Sequence, residues 1–268
     1  MKKWLRITLI VLFSTLFLIS GFMIARYYFN SQKQNKQFDD LASLVAQERP
    51  TRAPISAETE PIYTEPNDIG GLETEPPQPL PEYIEVSALN ADMVGWIQIE
   101  GTKVDYPVLQ TPNDPEYYLR RDFYGNYSSH GCIFTEEYCD VNAPSDNITI
   151  YGHNMNDGSM FGSLRNYRSK SFWENHRYIY FDTLTQRHTY EIFAVFTTVA
   201  TRGTGFAYHQ FIDAADQEEF DAFIADCQAL ALYDTGISAQ YGDKLITLST
   251  CEYTHKNGRL VVVAKRIS

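Results

Sequence analysis

Apolar and polar positions divide the chain into three stretches with different rhythms. Residues Ile7 to Ala25 form a run of 19 positions without a charge, bounded by Arg6 and Arg26. As a helix rising 1.5 Å per residue this run would span roughly 28 Å, close to the hydrocarbon thickness of a bilayer. Its apolar residues cover every face, the pattern of a lipid-facing segment and not of a buried soluble helix. Lys2, Lys3 and Arg6 precede the run, so the positive-inside rule keeps the short N-terminus in the cytoplasm and places the rest outside, although Arg26, Lys33 and Lys36 follow it. A cleaved signal peptide is the alternative. The run is longer than the usual apolar core of about 7 to 15 residues, and no clear A-x-A site follows it. Both readings export the remainder of the chain.

The second stretch is polar. From Asn30 to Gln47, Phe38, Leu41, Leu44 and Val45 recur at helical spacing and predict a short amphipathic helix. Glu48 to Glu82 then holds eight of the twelve prolines, eight acidic residues and two basic ones. So few apolar side chains cannot offset the entropy of ordering, so this part is expected to be an extended linker reaching at most about 110 Å at about 3.1 Å per residue. The third stretch, Tyr83 to Ser268, has 186 residues and enough apolar content for one sizeable core. The expected organisation is therefore an anchor over 1–26, an acidic Pro-rich stalk over 27–82 and one compact domain over 83–268.

Within that domain, short runs rich in β-branched and aromatic residues predict eight strands: Val94–Glu100, Val104–Leu109, Gly131–Thr135, Asn147–Gly152, Tyr178–Asp182, His188–Ala200, Leu245–Cys251 and Arg259–Arg266. Eight strands separated by turn signals point to a barrel or sandwich. One helix stands out between Asp213 and Leu232, where Phe220, Phe223, Ile224, Cys227 and Leu230 share a face and Asp216 with Glu219 forms a capping box. Ser159 to Tyr167 is a weaker helix.

Charge and cysteine count narrow the function classes. The net charge of −12 is made of +4 over 1–26, −6 over 27–82 and −10 over 83–268. An acidic domain lacks the clustered cations that nucleic-acid phosphates require. Four cysteines are too few for a disulfide scaffold of this length, which raises the question of a nucleophile. Cys251 ends an apolar strand, where a rigid sheet holds a side chain that the strand end exposes. A thiol of ordinary pKa, about 8.5, needs an adjacent His or cation to act as nucleophile. His153 follows the strand Asn147–Gly152 and would also project from a strand end. Arg259 opens the last strand eight residues after Cys251, so a hairpin or short loop would bring the two together. A guanidinium there would hold a substrate or stabilise an oxyanion. Taken alone, Cys251 reads equally well as a small buried residue. Cys227 reads as core and Cys139 as a loop residue.

At these residues the chain resembles a known family. Thr247-Leu-Ser-Thr-Cys251 resembles the T-L-x-T-C signature of the sortases, the transpeptidases that attach proteins to Gram-positive cell walls, and the Ser at its centre is similar to class B. Leu89-Asn-Ala-Asp-Met-Val-Gly-Trp-Ile97, Asp105-Tyr-Pro-Val-Leu-Gln110, Tyr151-Gly-His-Asn-Met155 with Met160-Phe161, and the acidic helix from Asp213 also resemble class B segments, in the family's order. The resemblance implies an eight-stranded sortase-type β-barrel with N-terminal helices and one long helix between strands 6 and 7. It implies that Cys251 attacks the Thr carbonyl of an N-P-x-T-x-like sorting signal, that His153 serves as general acid and then base, and that Arg259 orients substrate and stabilises the oxyanion. The partners implied are secreted proteins bearing that signal and an amine of a peptidoglycan precursor or stem peptide, with no metal or other cofactor. Ser249 and Tyr151 would help line the groove, Leu119 would meet the signal's apolar position, and the β6–β7 loop, from Phe206 to Tyr208, would add contacts. Pro115 stands where the family would have a polar residue, and nothing is carried over there.

Two rival readings remain. Ser129-His-Gly-Cys132 resembles the S-H-G-C core of L,D-transpeptidases. Phe134 stands where that family has an Arg, and no upstream His-Gly exists, His130 being the first His of the chain. The other rival is a tethered binding module in which Cys251 is inert. His255 is the nearest alternative base and would lie in a solvated turn, while His176 reads as structural.

Overall fold

The computed structural model describes residues 3–52, 78–199, 204–252 and 256–268. The chain divides into two compact units, Met1–Asp40 and Leu41–Ser268. Helix α1 (Lys3–Glu48) contributes to both. Over residues 10–29 its side chains are uncovered by protein, with Phe17, Leu18 and Phe22 at 78%, 70% and 68% exposure. α1 is long and apolar enough to cross a membrane.

The amphipathic spacing around residues 38–45 is helical, but it continues the apolar helix without a break, because no proline or glycine interrupts Arg26–Glu48. Its last turns belong to the second unit, where Leu41 and Val45 are buried. Beyond α1, Arg49 pairs with Asp105 and Arg52 with Asp182. The expected boundary at Tyr83 is therefore too late. Glu82 is itself buried in α2 (Pro81–Leu89) and paired with Arg187. Between these anchored ends, 53–77 of the expected linker lies outside the described residues.

The eight expected strands all form, within a few residues of their expected ends: β1 (Met93–Gln98), β2 (Asp105–Leu109), β3 (Ile133–Thr135), β4 (Asn147–Tyr151), β5 (Tyr178–Thr183), β6 (Thr189–Val199), β7 (Leu245–Glu252) and β8 (Gly258–Arg266). They close into a barrel in the order β1-β2-β3-β4-β7-β8-β6-β5. β5 returns to pair with β1. The β2–β3 and β4–β7 pairs are parallel and the others antiparallel. β8 carries an unbroken apolar run, Leu260–Ala264, and β7 is buried at every position from Leu245 to Thr250, because both faces of these strands are covered.

Part of that cover is α4 (Gln217–Leu230) between β6 and β7. Asp216 caps it by accepting from the Glu219 N–H, and the Glu219 carboxylate reaches back to accept from the Ala215 N–H. Phe220, Phe223, Ile224 and Cys227 bury against Phe193, Phe196, Leu245, Val261 and Val263. Leu230, expected on this face, is 42% exposed because the helix ends there. The weaker helix forms as a 3-10 segment, Gly162–Arg168, which leads into the short α3 (Lys170–Asn175).

Candidate active site

The barrel order brings together two strand ends that lie nearly a hundred residues apart. β4 runs parallel to β7, with Asn147 opposite Leu245 and Tyr151 opposite Ser249. In a parallel pair equal steps along both strands preserve the register, so two residues beyond this last pair His153 comes level with Cys251. Three hydrogen bonds carry the alignment past the end of β4. The Gly152 N–H donates to the Ser249 carbonyl at 3.2 Å. The Thr250 hydroxyl donates to the Gly152 carbonyl at 2.8 Å, and the Asn154 amide donates to the Cys251 carbonyl, also at 2.8 Å. Gly152 is required for close packing. A Cβ there would meet the Phe161 ring at 2.7 Å and the Ile133 side chain at 2.5 Å.

Arg259 reaches the site from the other side. β7 and β8 are antiparallel, and Cys251 and Arg259 are direct cross-strand partners. The Arg259 guanidinium donates to the Gly258 carbonyl at 3.0 Å.

His153 is held by the rim of the groove. Its Nε2 lies 2.7 Å from the Leu119 carbonyl oxygen. A carbonyl can only accept, so the neutral ring carries its proton on Nε2, and Nδ1 is the nitrogen left to exchange a proton. Burial lowers the His153 pKa below the usual 6.5 and Arg120 acts in the same direction, partly offset by the Leu119 hydrogen bond. Leu119 is fixed through its neighbour. The Tyr118 hydroxyl donates to Asp92 and accepts from the Asn90 amide, at 2.7 and 2.8 Å.

These residues open on a groove of about 320 Å³. Leu119, Tyr151, His153, Ser249, Cys251 and Arg259 all line it. Pro115 and Glu116 form its outer edge, and Phe134 with Tyr151 an aromatic wall, their rings 5.5 Å apart. Glu136, which no motif singled out, is a charged wall residue that accepts from the Tyr151 hydroxyl at 2.7 Å. The signal for it was slight: it is the first residue after β3, whose middle residue Phe134 pairs with Tyr151.

Tyr208 does not line the groove. It is 2% exposed and sits behind Ser249, the two hydroxyls 2.6 Å apart. Phe206 is likewise turned into the α4 cluster, where it packs on Phe196 and Phe223. Ala207 between them is exposed, so in this segment the two aromatic side chains pack inward on the apolar cluster under α4.

The rival cysteine fares differently. Cys132 is wholly buried, and burial pushes its thiol well above the ordinary value. Cys139 lies in the loop between β3 and β4, as expected, and is buried there. All four cysteines are free thiols, and only Cys251 is partly exposed. His176 is structural, its ring stacked on Phe172 with Nδ1 hydrogen-bonded to that residue's carbonyl. His255 lies outside the described residues.

Comparison with known proteins points the same way. The family model described as a sortase domain matches residues 97–267. A Sortase B of Listeria monocytogenes is 35% identical over 190 residues, covering 70% of this chain and 74% of that protein. A Sortase B of Staphylococcus aureus is 30% identical over 189 residues, covering 70% and 75%. The solved structure of sortase B from Bacillus anthracis in complex with AAEK1 superposes with a TM-score of 0.71 at 29% identity, covering 90% of this chain and 99% of that one.

Proposed function

This chain belongs to the sortase family, in its class B branch, and from that membership we propose how its residues divide the work of a cysteine transpeptidase. In this reading the enzyme is held at the outer face of the membrane by α1, with the N-terminus cytoplasmic. It cleaves an N-P-x-T-x-like C-terminal sorting signal after Thr and transfers the protein to a peptidoglycan amine. The supporting observation is that Cys251, His153 and Arg259 open on one groove, with Cys251 and Arg259 paired across β7 and β8.

The signal peptide lies along the groove with its apolar side chain toward Leu119 and the aromatic wall. Cys251 Sγ attacks the Thr carbonyl, and a tetrahedral oxyanion forms beside the Arg259 guanidinium, which stabilises the developing charge. His153 donates a proton to the departing amine as the thioacyl bond is completed, then withdraws one from the incoming amine. Because burial disfavours its charged form, the imidazolium that acts as acid is a minority species at neutral pH. Ser249 and Tyr151 shape the groove wall, and Tyr208 acts only through Ser249.

The test uses the full chain in detergent and a fluorogenic sorting-signal peptide. Cys251→Ala abolishes cleavage, and Cys132→Ala retains it. Loss of activity in Cys132→Ala with retention in Cys251→Ala would overturn the assignment.

A further inference from the structure

Glu136 puts a negative charge on the groove wall that the division of catalytic work does not use. Its backbone is fixed. The Glu136 N–H donates to the Thr149 carbonyl at 2.9 Å, and the Gln110 amide donates to the Glu136 and Cys139 carbonyls at 2.9 and 2.7 Å. Its carboxylate is held as well. One oxygen accepts from the Tyr151 hydroxyl at 2.7 Å and the other from the Glu137 N–H at 3.2 Å. Both donors are neutral. Among the described residues no Lys, Arg or His forms an ion pair with Glu136. Burial raises the Tyr151 pKa and the Glu136 charge raises it further, so the phenol remains a proton donor.

Glu136 is half-buried, so water still reaches it. A peptide laid over Leu119, Phe134 and Tyr151 displaces that water. A carboxylate gives up its hydration at a high cost unless a cation takes the place of the water. Glu116, at the outer edge, is exposed and escapes this constraint. The substrate must therefore bring the counter-charge for Glu136, and the barrel says where along the peptide. β3 lies two strands from β7, by way of β4, which is about 10 Å sideways at about 4.8 Å per strand. Thr135, the neighbour of Glu136, pairs with Ile150, and Ile150 pairs with Leu248, three residues before Cys251. That adds about 10 Å along the strands at about 3.3 Å per residue. The diagonal is roughly 14 Å, or about four residues of extended peptide. Counted back from a Thr at Cys251, this is the position immediately ahead of an N-P-x-T-x-like signal.

Resting on the transpeptidase reading, we propose that Glu136 is a specificity-determining residue that takes a lysine or arginine side chain directly ahead of the sorting signal. The cation meets the carboxylate from the groove side, while the Tyr151 hydroxyl holds the carboxylate against the wall. The charge-assisted hydrogen bond forms in a partly desolvated site, where it is stronger than on an open surface. A glutamine at that position offers neutral donors only, and a glutamate sets two like charges together. The contact lies far from the reacting carbonyl, so it acts through substrate binding and not through the chemical step.

The experiment gives the full chain in detergent three fluorogenic peptides that share one Asn-Pro-Ala-Thr-Gly signal and differ only in the residue ahead of it, which is Lys, Gln or Glu. The Lys peptide is cleaved with kcat/KM about tenfold above the Gln peptide, through a lower KM, as expected for a charge-assisted hydrogen bond. The Glu peptide falls below both. Glu136→Gln removes the Lys preference, Glu136→Asp keeps part of it, and Glu137→Gln, a charge removed next to the groove but outside its lining, keeps all of it. In the unmodified protein the preference shrinks between about 0.05 and about 1 M NaCl, a readout that needs no variant. Equal use of the three peptides, a preference carried by kcat alone or indifferent to salt, survival of the preference in Glu136→Gln, or its loss in Glu137→Gln overturns the assignment while cleavage itself stands. Absence of cleavage of all three peptides overturns the transpeptidase reading and this assignment with it.

Discussion

The hydroxyl pair behind the groove is a sharp test of what Tyr208 does. Tyr208 Oη and Ser249 Oγ are 2.6 Å apart, on residues only 2% and 1% exposed. Tyr208→Phe removes one hydroxyl and leaves the Ser249 oxygen short of a partner in a site with little access to water, at a cost of about 1.5 kcal/mol within the usual range of about 1–3. Ser249→Ala strands the Tyr208 phenol and costs about the same. The double variant removes both polar groups, so no penalty for an unpaired one remains, and its loss should stay near about 1 kcal/mol. The coupling between the two sites is then about 2 kcal/mol, well above the about 0.3–0.5 expected of independent positions. Urea unfolding of the detergent-solubilised chain, followed by tryptophan fluorescence, measures all four corners of the cycle. For a domain of this size each single change should also lower Tm by about 3–6 °C, from about 2–4 °C per kcal/mol. If the double variant loses the sum of the singles, the two hydroxyls do not depend on each other, and Tyr208 does not act through Ser249.

Three further outcomes follow from the packing. Gly152→Ala drives a Cβ into the Phe161 ring and Ile133, which displaces His153. Peptide cleavage should fall by at least about tenfold while overpacking destabilises the barrel by about 1–3 kcal/mol, and an active, fully stable variant would contradict the packing. Arg187→Ala leaves the buried Glu82 carboxylate without its cation and should cost about 3–5 kcal/mol in urea unfolding, with Glu82→Gln in the same background recovering part of it. The third concerns pH. Burial lowers the His130, His153 and His188 pKa values below 6.5. The unfolded chain therefore binds protons before the folded one does as pH falls, so stability is fully present above about 6.5 and is lost below it. His153→Gln should flatten the acid limb of a stability-versus-pH curve, and an unchanged limb would mean that His153 titrates alike in both states.

The strands and α4 could be located from local pattern alone. Runs such as Arg259-Leu-Val-Val-Val-Ala are short and rich in β-branched residues, which favours a strand over a helix, and Asp216 with Glu219 ahead of a helix-period apolar face marks a helix start. The positions of Cys251, His153 and Arg259 at strand ends could be read in the same way. Cys251 and Arg259 meet through a short connection, which sequence spacing can suggest. His153 and Cys251 meet only because β4 and β7 pair in parallel across the chain, and no local pattern specifies a parallel partner so far away. The apparent boundary at Tyr83 failed for a related reason. Arg49, Arg52 and Glu82 sit in polar, Pro-rich surroundings, and what ties them to the barrel is distant in sequence: the partners Asp105, Asp182 and Arg187, and the Trp96 and Tyr180 rings under the two arginines.

The chain's own letters therefore determine the apolar span, the eight strands, the capped helix and the three chemically capable side chains, because each is written in neighbours a few residues apart. Tertiary structure alone decides that Tyr208 turns inward, that Glu136 walls the groove and that Cys132 is sealed away. These depend on which distant surfaces compete for the same side chain, and burial energy is settled only when the barrel closes.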